Sequence, residues 1–261
     1  MCRLLGIRAN KPVDLEFSLA NFQRLSEQNP DGWGIGWYEG NKLQVYREAI
    51  RALNSEHFQP LSRKARSHIF ICHVRRGTCG GRWEENCHPF RWRNWLFVHN
   101  GSVPREPLWK HLRRCHRDAI EGETDSEVYF HWILQNIEAH EGDVVDGIRS
   151  ALEIIYEAND FTGLNFLLSD GQRLYAYRDA SCNLDYYSLY YLKRDPETLQ
   201  QDTLRSEELG TLIRSKRLRG EKAVLICSER LTGVEKWEPI EPGYLLIVSR
   251  NLEIEMKFVR R

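Results

Sequence analysis

A chain of 261 residues that is 41% hydrophobic and 28% charged can bury a sizeable core and is expected to form one large domain. Its 37 basic and 37 acidic residues cancel, which argues against a nucleic-acid or anionic-membrane partner. No apolar run approaches the ~18 residues of a membrane helix, and the start is too short and too polar for a signal peptide, so the cytoplasm is the expected compartment. The seven cysteines are odd in number and form no C-x-x-C pair, and so read as reduced thiols rather than a disulfide set or a structural zinc site.

The chain opens Met1-Cys2-Arg3-Leu4-Leu5-Gly6-Ile7, a short apolar run suited to an edge or central strand. Cys2 is small enough for Met1 to be removed ahead of it. One residue would then carry a thiol and a free α-amino group, with ordinary pKa values of about 8.5 and about 7.7–8.0. An amine in that range can take the thiol proton and return it, so no separate histidine base is needed. The alternative is a small buried thiol in a first strand.

Asp14 to Glu27 places Leu15, Leu19, Phe22 and Leu25 on one helical face, closed by Asn29-Pro30-Asp31-Gly32. In Asp31-Gly32-Trp33-Gly34-Ile35-Gly36-Trp37-Tyr38, strand alternation puts three glycines on one face and Trp33, Ile35 and Trp37 on the other. A bare strand face lets another backbone or a ligand approach closely. A hairpin turn at Glu39–Lys42 returns the chain through Leu43–Tyr46. A polar helix over about Ser55–Arg66 leads to the buried-strand pattern Ile69–Val74.

Arg75-Arg76-Gly77-Thr78-Cys79-Gly80-Gly81 follows directly. Two guanidiniums, a hydroxyl and glycines after a strand suit an anion-binding turn, although a solvated surface turn has the same composition. Asn86-Cys87-His88-Pro89-Phe90 ends the loop. The strand Trp95–Val98 runs into His99-Asn100-Gly101. Asn-Gly there is either a hairpin turn or a pair of donors, the Asn100 amide and the Gly101 N–H, for a developing oxyanion. Pro104–Arg114 reads as a short helix.

Thr124 to Glu127 forms a capping box for the next helix, with Asp125 in its first turn. Val144, Ile148, Leu152 and Ile155 mark a second amphipathic helix. Strands follow at Leu164–Leu168, Arg173–Tyr177, Tyr186–Leu192, Ala223–Cys227, Tyr244–Val248 and Leu252–Phe258. A charged connection, Asp195–Arg219, interrupts them and carries the basic cluster Arg214, Lys216, Arg217 and Arg219. Strands, two helices and then strands predict a layered α+β fold.

Taken in order, Cys2, Asp31-Gly32-Trp33-Gly34, His73-Val74-Arg75-Arg76-Gly77-Thr78, Asn86-Cys87-His88-Pro89-Phe90, His99-Asn100-Gly101 and Gly122-Glu123-Thr124-Asp125-Ser126-Glu127 form a recognisable series. It resembles the glutaminase domain of class II glutamine amidotransferases, which are N-terminal nucleophile (Ntn) hydrolases. The motifs span about 2 to 130. Ser228-Glu229-Arg230-Leu231-Thr232, Trp237 and Pro242-Gly243 resemble the stand-alone subgroup without a synthase domain. The resemblance implies a single domain over 2–261, built as a four-layer αββα sandwich of two stacked antiparallel sheets.

It also implies roles. Cys2 attacks the side-chain amide of glutamine and its α-amino group carries the proton to the leaving ammonia. Asn100 and Gly101 stabilise the oxyanion. Arg75, assisted by Thr78, pairs with the α-carboxylate, and Asp125 holds the α-ammonium. Arg76 and Gly77 differ from the commoner Trp-Ala or Gln-Ala versions of the loop. Cys79 reads as a packed thiol close to the site, and His73, His88 and His99 as buried scaffold. No metal or organic cofactor is implied. The expected partners are glutamine or another γ-glutamyl small molecule, a separate synthase subunit that receives the ammonia, and a second copy in a homodimer. The alternatives are hydrolysis of a γ-glutamyl amide of a small metabolite and a catalytically silent glutamine-binding or docking module.

Overall fold

The computed structural model describes residues 2–195, 221–233 and 235–260. The connection expected at Asp195–Arg219, with its basic cluster, lies outside the described residues apart from Asp195. Two antiparallel sheets form the centre. The first runs, in spatial order, β11 (Glu238–Pro239), β9 (Tyr190–Arg194), β10 (Ala223–Cys227), β1 (Arg3–Val13), β4 (Ser67–Arg75), β2 (Gly32–Glu39) and β3 (Lys42–Glu48). The second runs β13 (Ile254–Phe258), β12 (Tyr244–Val248), β8 (Leu174–Arg178), β7 (Leu164–Ser169), β6 (Trp95–Gly101) and β5 (Phe90–Trp92).

Alternation along the strands decides what each face meets. In β1, Leu4 and Gly6 point to the second sheet, where Leu4 joins Ile69, Ile71, Val98, Leu167, Ala176 and Leu246 in one buried layer. Leu5, Ile7 and Ala9 point the other way, with Trp33 and Ile35, and are covered by Leu19 and Phe22 of α1 (Glu16–Arg24) and Phe58 of α2 (Phe58–Lys64). The outer face of the second sheet, with Phe97, Phe166, Leu168 and Tyr175, is covered by two longer helices. These are α5 (Asp125–Ala139), through Val128 and Ile133, and α6 (Val144–Ala158), through Ile148, Leu152 and Ile155. Each such side chain stabilises the fold by about 1.5–3 kcal/mol when fully buried. The order of layers is helix, sheet, sheet, helix.

Several expectations are refined. β1 is central, paired with β10 on one side and β4 on the other. The first helix is shorter than its apolar pattern and tightens into a 3₁₀ turn at Leu25–Glu27. The strand expected from Tyr186 begins only at Tyr190, because side chains from elsewhere claim the backbone before it. The short strand β5 has no three-residue signal strong enough to read. Two short helices, α3 (Arg105–His111) and α4 (Arg114–Arg117), precede α5.

Candidate active site

Cys2 precedes β1 in the middle of the first sheet. Arg3 pairs with Val74, so Cys2 meets the chain as it leaves β4. The Arg76 N–H donates to Cys2 Sγ at 3.3 Å, and the thiol faces the Arg76 carbonyl at 3.4 Å. Burial pushes the Cys2 thiol pKa up, and the Arg76 N–H and the Arg75 charge oppose it in part. A thiol raised in this way keeps its proton near neutral pH, so attack by this sulfur needs a base within reach.

The 76–81 loop is tied down from three sides. Arg75 is only 3% exposed, and its Nη2 donates to the carbonyls of Cys79 (2.9 Å) and Gly80 (3.4 Å). Asp31 accepts from Gly77 N at 2.9 Å and pairs with Arg82 at 2.5 Å. Asn86 donates to the Gly81 carbonyl and accepts from Glu123 N, while Glu123 Oε2 accepts from Gly81 N. Among the described residues, Arg75 Nε and Nη1 have no acceptor.

Asp125 sits where the capping box predicted, at the start of α5. Its carboxylate accepts from Ser126 N (2.9 Å) and from Val103 N (2.8 Å), and the Cys79 thiol lies 3.9 Å from Oδ1. The box itself is half formed. Thr124 Oγ1 accepts from Glu127 N, but the Glu127 carboxylate turns to the N–H groups of Glu121 and Gly122.

Asn100-Gly101 is not a hairpin turn. Both residues continue β6 and pair with Asn165 and Leu164 of β7. Asn100 is buried, and its side-chain Nδ2 has no hydrogen-bond acceptor among the described residues. A buried amide without a partner is costly and calls for an explanation. Gly101 has φ +142°, and a β-carbon there would collide with the carbonyl of Gly163. His99 locks this corner. Its Nε2 donates to the Gly163 carbonyl at 3.0 Å, which leaves Nδ1 to accept from Ser126 Oγ at 2.9 Å.

Two further histidines, His73 and His88, are buried, their rings tilted at 35° with centroids 4.2 Å apart. Burial, assisted by the Arg75 charge, lowers the His73 pKa to about 3, and His88 is lowered in the same direction. Both are neutral at physiological pH. The bare glycine face of β2 packs on the protein itself: Gly34 lies against the main chain of His88, and Gly36 against the side chain of Leu96.

The fold therefore links five of the six residues singled out in the sequence. Cys2 contacts the loop that Arg75 organises, Cys79 of that loop reaches Asp125, and Asp125 holds the backbone two residues beyond Gly101. Thr78 stands exposed on the loop, and its hydroxyl makes none of these contacts. Asp31, Asn86 and Glu123 stand inside motifs the sequence shows, but their supporting contacts do not follow from it, and Asn165 and Arg178 lie outside those motifs. Of the last two, only Arg178, with Asp179, carries a signal, a charged pair closing an otherwise apolar strand.

Comparison with known proteins agrees with this architecture. The family described as glutamine amidotransferases class-II matches residues 1–259. An uncharacterised protein of Methanocaldococcus jannaschii is 33% identical over 260 residues, covering 96% of this chain and 70% of that one. YafJ of Escherichia coli, named as a glutamine amidotransferase, is 30% identical over 259 residues, covering 93% and 95%. A mycobacterial protein of Mycobacterium tuberculosis, named gamma-glutamyl-hercynylcysteine sulfoxide hydrolase, is 29% identical over 155 residues, covering 59% and 61%. A solved glutamine aminotransferase class-II domain protein from Silicibacter pomeroyi superposes with TM-score 0.67 at 24% identity, covering all of both chains. The two stacked sheets with flanking helices are the Ntn-hydrolase sandwich. This chain belongs to the class II glutamine amidotransferases, a family of hydrolases and amidotransferases. No helix among the described residues is long and apolar enough to cross a membrane.

Proposed function

We propose that this enzyme is a glutamine amidohydrolase in which Cys2, freed from Met1, is the nucleophile. The Cys2 sulfur attacks the side-chain amide carbon of glutamine while its own α-amino group takes the thiol proton. The carbonyl oxygen becomes an oxyanion, held by the Asn100 amide and the Gly101 N–H. The amine returns the proton to the leaving nitrogen, ammonia departs, and a γ-glutamyl thioester remains. Water then attacks the thioester, releasing glutamate and restoring the thiol. Arg75 offers its uncommitted nitrogens to the α-carboxylate and Asp125 its carboxylate to the α-ammonium, with the domain spanning 2–261.

The observation that carries this reading is the unpaired Nδ2 of Asn100, a buried donor left open beside Gly101. An ordinary structural asparagine in a strand would have spent that donor on a neighbour. The test is release of glutamate and ammonia from glutamine by the purified protein and by Cys2→Ala. Turnover that disappears in Cys2→Ala supports the reading, whereas turnover that persists overturns it.

A second reading replaces ammonia by a larger amine. The mycobacterial relative is named for cleavage of a γ-glutamyl compound. The same nucleophile, oxyanion donors and glutamyl-binding groups would serve a γ-glutamyl amide of a small metabolite without change. Ammonia transfer to a separate synthase subunit, and a homodimer, are the partnerships compatible with the first reading.

A further inference from the structure

The loop between β8 and β9 is built to hold one aromatic side chain, and the reaction described above gives that residue nothing to do. Arg178, buried at the end of β8, donates to three carbonyls: Tyr187 (3.0 Å), Leu184 (2.7 Å) and Ile240 (2.7 Å). Asn165, the strand partner of Asn100, donates to the Tyr187 carbonyl at 3.0 Å and accepts from Asp179 N at 3.1 Å. Ser188 Oγ donates to the Ser228 carbonyl, and Ser228 in turn bonds both the N–H and the carbonyl of Leu4. The position of Tyr187 is thereby fixed against both the Asn100 strand and the Cys2 strand.

The ring of Tyr187 packs against Gly163 through Cδ1 and Cε1, where a β-carbon would collide with it. Gly163 is the same residue whose carbonyl packs on Gly101. Thr162, the residue before Gly163, has its Oγ1 2.8 Å from Ser102 Oγ. Ser102, directly after Gly101, and Thr162, directly before Gly163, thus place two hydroxyls beside the contact between these glycines. Tyr186, 47% exposed, stands edge-on to Tyr187 with ring centroids 5.3 Å apart.

Tyr187 reaches Gly101 through Gly163, next to β7, whereas Asp125 of α5 bonds Val103 N beyond Gly101 and Arg75 holds the 76–81 loop. The glutamyl half of a substrate is accounted for by those two residues, and its carbonyl oxygen by Asn100 and Gly101. What remains attached to the reacting carbon is the leaving nitrogen. Ammonia has no surface to lay against a ring, and two adjacent hydroxyls suit a substituent with hydrogen-bonding groups.

We propose that Tyr187, with Thr162 and Ser102, forms the subsite for the amine portion of an N-substituted γ-glutamyl amide, the substituent lying against the Tyr187 ring. The inference rests on the amidohydrolase reading and names its substrate class: γ-glutamyl amides of amines that carry a planar group, in preference to glutamine itself.

The test uses the full chain with two substrates, glutamine and γ-glutamyl-p-nitroanilide, and reads the ratio of their kcat/KM values in the wild type, Tyr187→Ala and Tyr187→Phe. Loss of a stacking wall should lower the anilide-to-glutamine ratio at least about tenfold in Tyr187→Ala, while Tyr187→Phe, which keeps the ring face, should hold it within about threefold. Should the alanine variant fail to fold, Tyr187→Leu reads the same ratio with an apolar but non-planar side chain. A ratio unchanged in Tyr187→Ala or Tyr187→Leu, or a wild type that cleaves glutamine and not the anilide, overturns the subsite and leaves the amidohydrolase reading standing. A wild type that cleaves neither overturns both.

Discussion

A β-carbon placed on Gly34 would collide with the carbonyl oxygen of His88, and would stand 2.9 Å from the carbonyl of Tyr46. The chain of the 86–90 segment thus passes over the bare face of β2 at backbone contact, which anchors the end of the loop that begins at Arg75. Both neighbours are main chain and cannot swing away. Gly34→Ala should therefore destabilise the protein by about 3 kcal/mol, at the upper end for overpacking. Gly233→Ala, with none of the described residues beyond its chain neighbours within 4 Å of its β-carbon, should change stability by less than about 0.5 kcal/mol. Urea-denaturation midpoints of the two variants check the contrast.

Asn100→Ala removes a donor that the folded protein leaves unpaired, so its effect should fall on the reaction rather than on the fold. The expected loss is about 10²–10³ in kcat, or about 2.7–4 kcal/mol of transition-state stabilisation, with KM for glutamine little changed. Steady-state kinetics beside a thermal-unfolding curve separates the two effects. A large drop in unfolding temperature would assign Asn100 to structure.

Arg75 holds the Cys79 and Gly80 carbonyls through Nη2, and in the proposed reaction its Nε and Nη1 would also receive a carboxylate. Lysine keeps the charge but is a single point donor that cannot do both. Arg75→Lys should raise KM for glutamine roughly tenfold or more, with a smaller effect on kcat. Substrate-saturation curves of the two proteins provide the measurement.

Buried neutral histidines make stability depend on pH in a fixed direction. The pKa of His73 is lowered from 6.5 to about 3 and that of His131 to about 4, both chiefly by burial. Below 6.5 the unfolded chain takes up protons that the native protein refuses. Stability is therefore fully present above pH 6.5 and is lost progressively as the pH falls toward 4 and then 3. The urea midpoint should be nearly flat above pH 7 and fall steadily below 6.5. His131 bonds His116 through its Nδ1, and His131→Gln, which can still make a hydrogen bond there, should fall less steeply.

Candidate site residues were legible where they stand at readable ends of their elements: Cys2 before a strand, Arg75 at the end of another, Asp125 in the first turn of a helix. The layers were legible too, since Leu4 and Leu5, or Trp33 and Gly34, assign opposite faces by alternation alone. The Asn100-Gly101 pair was ambiguous. Local turn chemistry favours a hairpin there, and only pairing with Asn165 and Leu164, some 65 residues later, keeps it in a strand. Tyr187 was read as part of a strand for the same reason: the side chains that capture its carbonyl, Arg178 and Asn165, leave no pattern in the segment they hold. Glu127 likewise matched a capping box, yet its carboxylate serves the backbone of Glu121 and Gly122.

The most direct measurement of the central claim is the intact mass of the protein before and after 6-diazo-5-oxo-L-norleucine, a glutamine-mimicking affinity label. The expected result is a mass lacking Met1 and a single adduct that maps to Cys2. Retained Met1, or a processed Cys2 that stays unlabelled, would contradict it.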